Sequence, residues 1–319
     1  MHVVVATDSL AVPGGSETYL VTVVEHLVRL GHEVTVHALT MGPMSEQTVS
    51  VGARVAPMDE LPDRPDGVLV QDVGMAYALA ERWPGLAQVV VVHSPLFDFQ
   101  LPPMVPVPGS VAVVLNDRVG QRVAAMAMAG DMEVVRLRQP IDNVRLFPRG
   151  DAGPEPRRAL LLGNYLTGAA RRAIIEAWGA EGVDVVQVGL LAKETLDPAV
   201  EIAEADIVVG KGRAVLDAMA CGRPAFLYDA FGSDGWVTGS TYVRMEADGF
   251  AGQSDPMPLD ADGLRRALES YDPDMGRVNR ELVLKHHQDR KHAEALVGLF
   301  RRLSPAGAEA PTEAGELAR

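Results

Sequence analysis

The chain has 319 residues, of which 47% are hydrophobic and 23% charged, and a formal net charge of −14. That length suits two domains of about 150 residues each, and the composition is that of a globular protein rather than a disordered or membrane one. The acidic balance argues against nucleic acid as a partner, and the one cysteine, Cys221, excludes a disulfide framework and a cysteine-rich zinc site and fits a reducing, cytoplasmic setting.

The opening MHVVVATDSL runs straight into a strand-like segment with no secretory pattern, and no apolar run reaches the roughly 18 residues that span a bilayer. In chain order, HVVVATD from residue 2, EVTVHAL from 33, GVLVQD from 67, QVVVVHS from 88 and SVAVVLN from 110 are short β-branched runs. They are apolar at consecutive positions, which suits parallel strands covered by helices on both faces. Between the first two, residues 16–31 place Tyr19, Leu20, Val23, Val24, Leu27 and Leu30 at helical spacing, and Gly31 supplies a stop. Strand, glycine turn, helix and strand make a right-handed βαβ unit, the opening of a doubly wound fold.

Residues 142–158 carry three prolines and two glycines and read as a linker. Beyond it RALLLGN from 158, DVVQVG from 184, ADIVVG from 205 and PAFLYD from 224 repeat the α/β pattern, separated by helices such as 168–178. Residues 272–303 predict one or two amphipathic helices, and the small, polar stretch 304–319 is expected to be disordered. The expected organisation is an N-terminal domain over 1–148, a second over 157–285, a closing helix over 286–303 and the tail.

Two glycine segments carry candidate chemistry. In the first, Val12-Pro13-Gly14-Gly15-Ser16, glycines at a strand-to-helix junction let backbone N–H groups and a helix N-terminus approach an anion, although a plain tight turn uses the same residues. No acidic residue ends the second strand, so the ribose grip of a nicotinamide site is missing and a dehydrogenase is disfavoured. In the second, Gly210-Lys211-Gly212-Arg213 follows a strand and opens a helix, which predicts a diphosphate cradle built from amides and two cations, with Asp217 about one turn on as an acceptor for ribose hydroxyls. No Ser or Thr follows Lys211, so a P-loop reading fails. The pattern contains no metal cluster: His286, His287 and His292 sit in a basic amphipathic stretch and are expected to face solvent. The segment FGSDGWVTGS from 231 reads as turn-rich, with Trp236 either walling a pocket or packing the loop.

GGSETYLVTVVEHLVRLGHEVTVHAL, RQPIDNVRLFP and ADIVVGKGRAVLDAMACGRPA together resemble, in order, three landmarks of the GT-B retaining glycosyltransferases of the family 4 type. The resemblance implies an α/β fold of two Rossmann-like doubly wound domains facing across a cleft, with the donor nucleotide held mainly by the C-terminal domain and the acceptor by the N-terminal one. It places Gly14 and Gly15 near the donor phosphates, makes His93 a contact of the donor sugar and puts Asp217 on the second acidic position of the family's E-x7-E motif. Val209 stands at the first acidic position. Asn164 stands where relatives carry an arginine, in a phosphate-side segment Gly163-Asn164-Tyr165-Leu166, and Arg171 or Arg172 is the nearest replacement for the lost charge. Apart from the resemblance, His93 ends an apolar run at the carboxyl edge of a parallel sheet, where a satisfied edge histidine and a ligand contact are both open.

The resemblance implies transfer of a sugar from a nucleotide-sugar donor to a hydroxyl or amine with retained configuration, without metal or cofactor, the acceptor being a small molecule, glycan or lipid. Lys211, Arg213 and helix-terminal amides would stabilise the departing diphosphate, while His93 orients the sugar. A nucleotide-sugar epimerase or hydrolase on the same scaffold, and a non-catalytic homologue suggested by Val209 and Asn164, are the alternatives.

Overall fold

The structure, a computed structural model, describes residues 1–126, 132–164, 166–189, 192–193, 195–256 and 260–304. Tyr165 and the tail from 305 onward, on which two of the expectations above bear, lie outside the described residues.

Seven parallel strands form the first sheet: β1 (His2–Leu10), β2 (Glu33–Met41), β3 (Arg54–Val55), β4 (Gly67–Val70), β5 (Val89–Val92), β6 (Val111–Val114) and β7 (Glu133–Arg136), in the order β3-β2-β1-β4-β5-β6-β7. The consecutive apolar residues of β1 divide by parity. Val3 and Val5 enter the core beneath α1 (Gly15–Arg29), whereas Val4 and Ala6 enter the opposite core, against α3 (Val73–Arg82). A strand read by both faces needs this unbroken run.

The second sheet is smaller, in the order β12-β11-β10-β8-β9, made of β8 (Arg158–Leu162), β9 (Asp184–Val188), β10 (Ile207–Gly210), β11 (Ala225–Asp229) and β12 (Gly232–Trp236). β12 runs antiparallel to β11 through a two-residue connection, so the segment read as turn-rich is a hairpin arm. Gly232 (φ 148°) and Gly235 (φ 78°) let the arm bend, which is why its glycines imitate a loop in sequence. Trp236 lies at the end of this arm inside the core, stacked 6.5 Å from Trp178, with its N–H donating to the Ala267 carbonyl at 2.9 Å. It packs the domain.

The chain crosses between the domains twice. After β7 it passes through residues 137–157 into β8, and it returns between α10 (Asp274–His286), which packs on α7 (Arg213–Ala220), and α11 (Asp289–Leu303), which packs on α1. Leu296 and Phe300 of α11 join the core under α1, each worth about 2 kcal/mol of burial. The Phe300 ring lies where a Cβ on Gly67 would stand, 2.7 Å away, so only glycine lets α11 seat on β4.

The return also buries two of the three histidines expected to face solvent. His287 caps α10 at 2% exposure and His292 lies one turn into α11 at 5%; only His286 stays half-buried. The break between the two helices turns His287 inward, which helical spacing along one continuous helix does not anticipate. The two imidazoles hold the linker: His292 Nδ1 lies 2.9 Å from the Arg138 carbonyl and His287 Nδ1 2.8 Å from that of Gln139. A carbonyl only accepts, so both imidazoles carry their proton on Nδ1, and their Nε2 atoms accept from the Tyr19 hydroxyl (2.7 Å) and the Tyr242 hydroxyl (2.9 Å). On the far side, Arg136 and Arg138 reach the buried carboxylate of Glu246 on α8 (Tyr242–Ala247) at 2.8 and 3.3 Å. Among the described helices none is long and apolar enough to cross a membrane.

Candidate functional site

In doubly wound sheets ligands gather outside the carboxyl ends of the strands where the strand order reverses. The first sheet reverses between β1 and β4, and the second between β8 and β10. At these points lie the junction 11–15 and the buried residues 71–72 in one domain, and Gly163-Asn164 and Lys211-Gly212 in the other.

Gly14 is the residue before α1 and Gly15 its exposed first residue. The carboxylate of Glu17 folds back beside Gly14, into the space a Cβ there would fill, and accepts from the Ser16 hydroxyl at 3.0 Å. Burial raises the Glu17 pKa against the opposing pull of its own amide and Ser16. The sequence reading passed over Glu17, although an acidic residue in a helix's first turn is a legible signal.

In the second domain Gly212 adopts φ 57°, ψ −126°, a conformation open to glycine, and its N–H donates to the Phe250 carbonyl at 2.8 Å. That bond pins the start of α7. Lys211 forms an ion pair with Asp229, whose side chain is 3% exposed at the carboxyl end of β11, and its ammonium lies 5.1 Å from the centre of the exposed Phe231 ring. Arg213 donates from Nε to Asp217 at 2.8 Å and from Nη1 to the Pro140 carbonyl at 3.0 Å. Burial raises the Asp217 pKa, and the charge of Arg213 works against that rise. Both expected cations therefore have carboxylate partners, and one of those partners is the residue assigned to ribose. Asp229 went unnoticed in the sequence, where an apolar strand ending in an acid at this edge was the available clue.

Asn164 follows Gly163 at the end of β8, where its amide oxygen fits against Gly189, 2.9 Å from the position of a Cβ there. Val209 is fully buried in the core with Trp178 and Phe226, so this position offers nothing to the cleft. Arg171 donates to the Gln187 side chain on β9.

Of the residues expected at the site, Arg213 and Asp217 line a crevice between the domains; Gly14, Gly15, Asn164, Lys211 and Gly212 are not in its lining. Thr18 and Val21 of α1, Asp142 and Arg145 of the linker, and Arg213 and Asp217 of α7 line one crevice between the domains. Arg145 is bound to Asp142 and lies 3.7 Å from Glu25 of α1. Its neighbours hold both groups charged: hydrogen bonds from residues 144 and 145 lower the Asp142 pKa, overcoming burial, and Asp142 raises that of Arg145.

His93, just past β5, lies outside that lining but against the same helix. Its Nε2 is 2.6 Å from Gln71 Oε1, and its ring meets the edge of Tyr19 at 4.9 Å. Burial, and secondarily His292, push its pKa down to about 3. A neutral imidazole orients a ligand through hydrogen bonds rather than charge. No group of three or more metal-ligating side chains occurs among the described residues.

No protein-family model matches the sequence, and no curated protein matches it. Solved structures do match along nearly the whole length. A glycosyltransferase from Rickettsia africae is 12% identical, covers 95% of this chain and 98% of its own, and superposes with a TM-score of 0.65. Anabaena HepE, solved in complex with UDP, is 11% identical over 93% of this chain and 99% of its own, with a TM-score of 0.63. AviGT4, a glycosyltransferase involved in avilamycin A biosynthesis, is 15% identical over 97% and 99%, with a TM-score of 0.60. At these identities the similarity establishes the architecture: the chain has the two-domain GT-B fold of glycosyltransferases.

Proposed function

We propose that the protein is a glycosyltransferase that takes a nucleotide-sugar donor and transfers the sugar to an acceptor hydroxyl or amine, with retention and without a metal. The observation that carries this reading is a crevice between the domains lined by Thr18 and Val21 of α1 on one side and by Arg213 and Asp217 of α7 on the other. The start of α7, with Arg213 in the crevice and Lys211 two residues before it, suits a diphosphate leaving group, whose charge grows as the glycosidic bond breaks. The UDP held by the similarly folded HepE agrees with such a donor. His93, kept neutral, fits a role in orienting the sugar. In this reading Asp229 and Asp217 hold the cations in place, and the diphosphate competes with them.

A thermal-shift screen against UDP, GDP, ADP, dTDP and CDP and their sugars tests the proposal, because a ligand of the folded state raises the midpoint by mass action. One nucleotide series is expected to raise it, and Lys211→Ala to abolish the rise. Failure of every nucleotide at millimolar concentration would end the donor assignment. The internal pairing of Lys211 and Arg213 also favours a second reading, a non-catalytic homologue that binds nucleotide weakly. Release of free nucleotide from the stabilising sugar nucleotide over time separates the two, since only an enzyme turns it over.

A further inference from the structure

Residues 94–108 carry the chain from β5 to β6 across the carboxyl end of the first sheet, starting one residue after His93. Five of these residues are prolines, whose fixed φ stiffens the backbone, and Asp98 is the sole charge among them. Leu96, Phe97, Phe99, Met104 and Val105, with Tyr77 of α3, stand 42% to 70% exposed. The loop is nonetheless fastened. Leu101 is buried in the core with Leu79 and Val92, Pro102 and Pro103 are buried next to it, and the Val105 N–H donates to the Tyr77 hydroxyl at 3.3 Å. The core thus takes one side chain from this loop, while the same anchors hold its apolar neighbours in water, the Phe97 and Phe99 rings 5.8 Å apart. Apolar surface gathered in water at a ligand-gathering sheet edge marks a contact site.

Extent and charge narrow what covers it. The five loop side chains expose on the order of 600 Å², less than the roughly 800 Å² that each partner of a stable dimer contributes, and enough to cover one face of a small apolar molecule. Asp98 stands in the middle, 3.5 Å from Arg122, and a charge there together with the net charge of −14 opposes seating in an anionic bilayer. A glycan needs many hydrogen-bonding partners, and beyond Ser94, Asp98 and Gln100 the loop has no polar side chain. A small molecule with an apolar body remains.

We propose that this loop binds the acceptor of the transfer reaction, and that the acceptor is an alcohol or phenol with an apolar body rather than a glycan. The proposal rests on the glycosyltransferase reading and adds an acceptor class to it. The apolar body lies over Phe97, Phe99 and Met104, and affinity grows with apolar area rather than with the number of polar groups.

Binding and turnover are read separately. Equilibrium dialysis of the full chain without donor measures 4-ethylphenol, 4-butylphenol and 4-hexylphenol, with cellobiose as the glycan probe. Affinity should rise about threefold for each added methylene, cellobiose should not bind, and Phe97→Ser/Phe99→Ser should cut the affinity for 4-hexylphenol about tenfold. Both rings are exposed, so the double variant should keep the urea midpoint of wild type. Should it misfold, methyl NMR of wild type decides: 4-hexylphenol must shift the Met104 methyl more than that of the buried Met44. A flat series, cellobiose binding, unchanged affinity in the variant or equal methyl shifts overturns the proposal. So does a dimer in sedimentation, or flotation with phosphatidylcholine vesicles, that the double variant abolishes, because a second copy or a bilayer then occupies the surface. With a sugar nucleotide that stabilises the fold, 4-hexylphenol should accelerate nucleotide release, and the variant should raise its KM about tenfold with kcat kept. If the phenol binds but leaves nucleotide release unchanged, the acceptor proposal falls and the donor reading stands. If no nucleotide binds, the transferase reading itself fails and takes the acceptor role with it.

Discussion

The carboxyl-end strand edges of the two sheets are built on opposite electrostatic plans. At the first-domain edge Gln71, His93, Tyr19 and His292 are linked by neutral hydrogen bonds and ring contacts, with both histidines kept uncharged by burial. The second-domain edge holds formal charges, Lys211 on Asp229 and Arg213 on Asp217, neutralised pairwise. A neutral, directional edge can discriminate the position of a hydroxyl, and a charged, compensated edge can exchange an internal carboxylate for an external anion. Under the proposed function, similar α/β scaffolding would divide recognition of shape from recognition of charge, and the contrast makes claims that can be broken.

The largest expected effect lies on the charged side. Lys211→Ala leaves the Asp229 carboxylate, 3% exposed, without its cation, and should cost about 3 kcal/mol of unfolding free energy in urea denaturation. Asp229→Asn added to that variant should restore most of the loss. A cost below about 1 kcal/mol would mean that the pair behaves like a solvated surface bridge, and the charged edge would lose its distinctive character.

Next comes pH, which probes the neutral side. His93 and His287 titrate at about 3 and His292 at about 4 in the folded protein, each lowered from 6.5 chiefly by burial. The unfolded chain therefore binds more protons below about pH 6.5, and folded stability drops as pH falls through that value toward the folded pKa values. From about pH 7.5 to about pH 6 the three together should remove about 2 kcal/mol, read by urea denaturation at each pH. Asp217, whose pKa is raised by burial, works in the opposite sense. A flat profile between those pH values would show that the imidazoles are not held neutral.

Much of this architecture is legible in the residues, and the failures have physical causes. The long parallel strands announce themselves because both faces are buried, so every position of Val3 to Ala6 is apolar. The glycine junctions at 14–15 and 210–212 mark both helix starts for the same local reason. β12 escapes because glycine lowers strand propensity wherever a hairpin must bend, and antiparallel pairing with β11 restores what propensity lacks. His287 and His292 escape because their burial is decided by the chain's return to the first domain, not by their own helices. The internal partners Asp229 and Glu17 carry local signals, an acid ending an apolar strand and an acid in a helix's first turn, but neither signal says which group the carboxylate will meet. Sequence places the groups of the candidate site; it does not say which of them already hold one another.

The smallest effect tests whether the neutral edge is one unit or two. Tyr19→Phe keeps the ring that meets His93 at 4.9 Å and deletes only the hydroxyl that donates to His292 Nε2. His292 still donates to the Arg138 carbonyl, but its buried acceptor is left unmade, which should cost about 1 kcal/mol in urea denaturation. Gln71 still holds His93 through their 2.6 Å contact, so affinity for the sugar nucleotide found in the thermal-shift screen should survive this change within about twofold. A collapse of that affinity in Tyr19→Phe would trace the orientation of His93 back through Tyr19 and His292 to the linker at Arg138. The selectivity of the first edge would then depend on how the chain crosses between the domains, and the two edges would be coupled parts of one device.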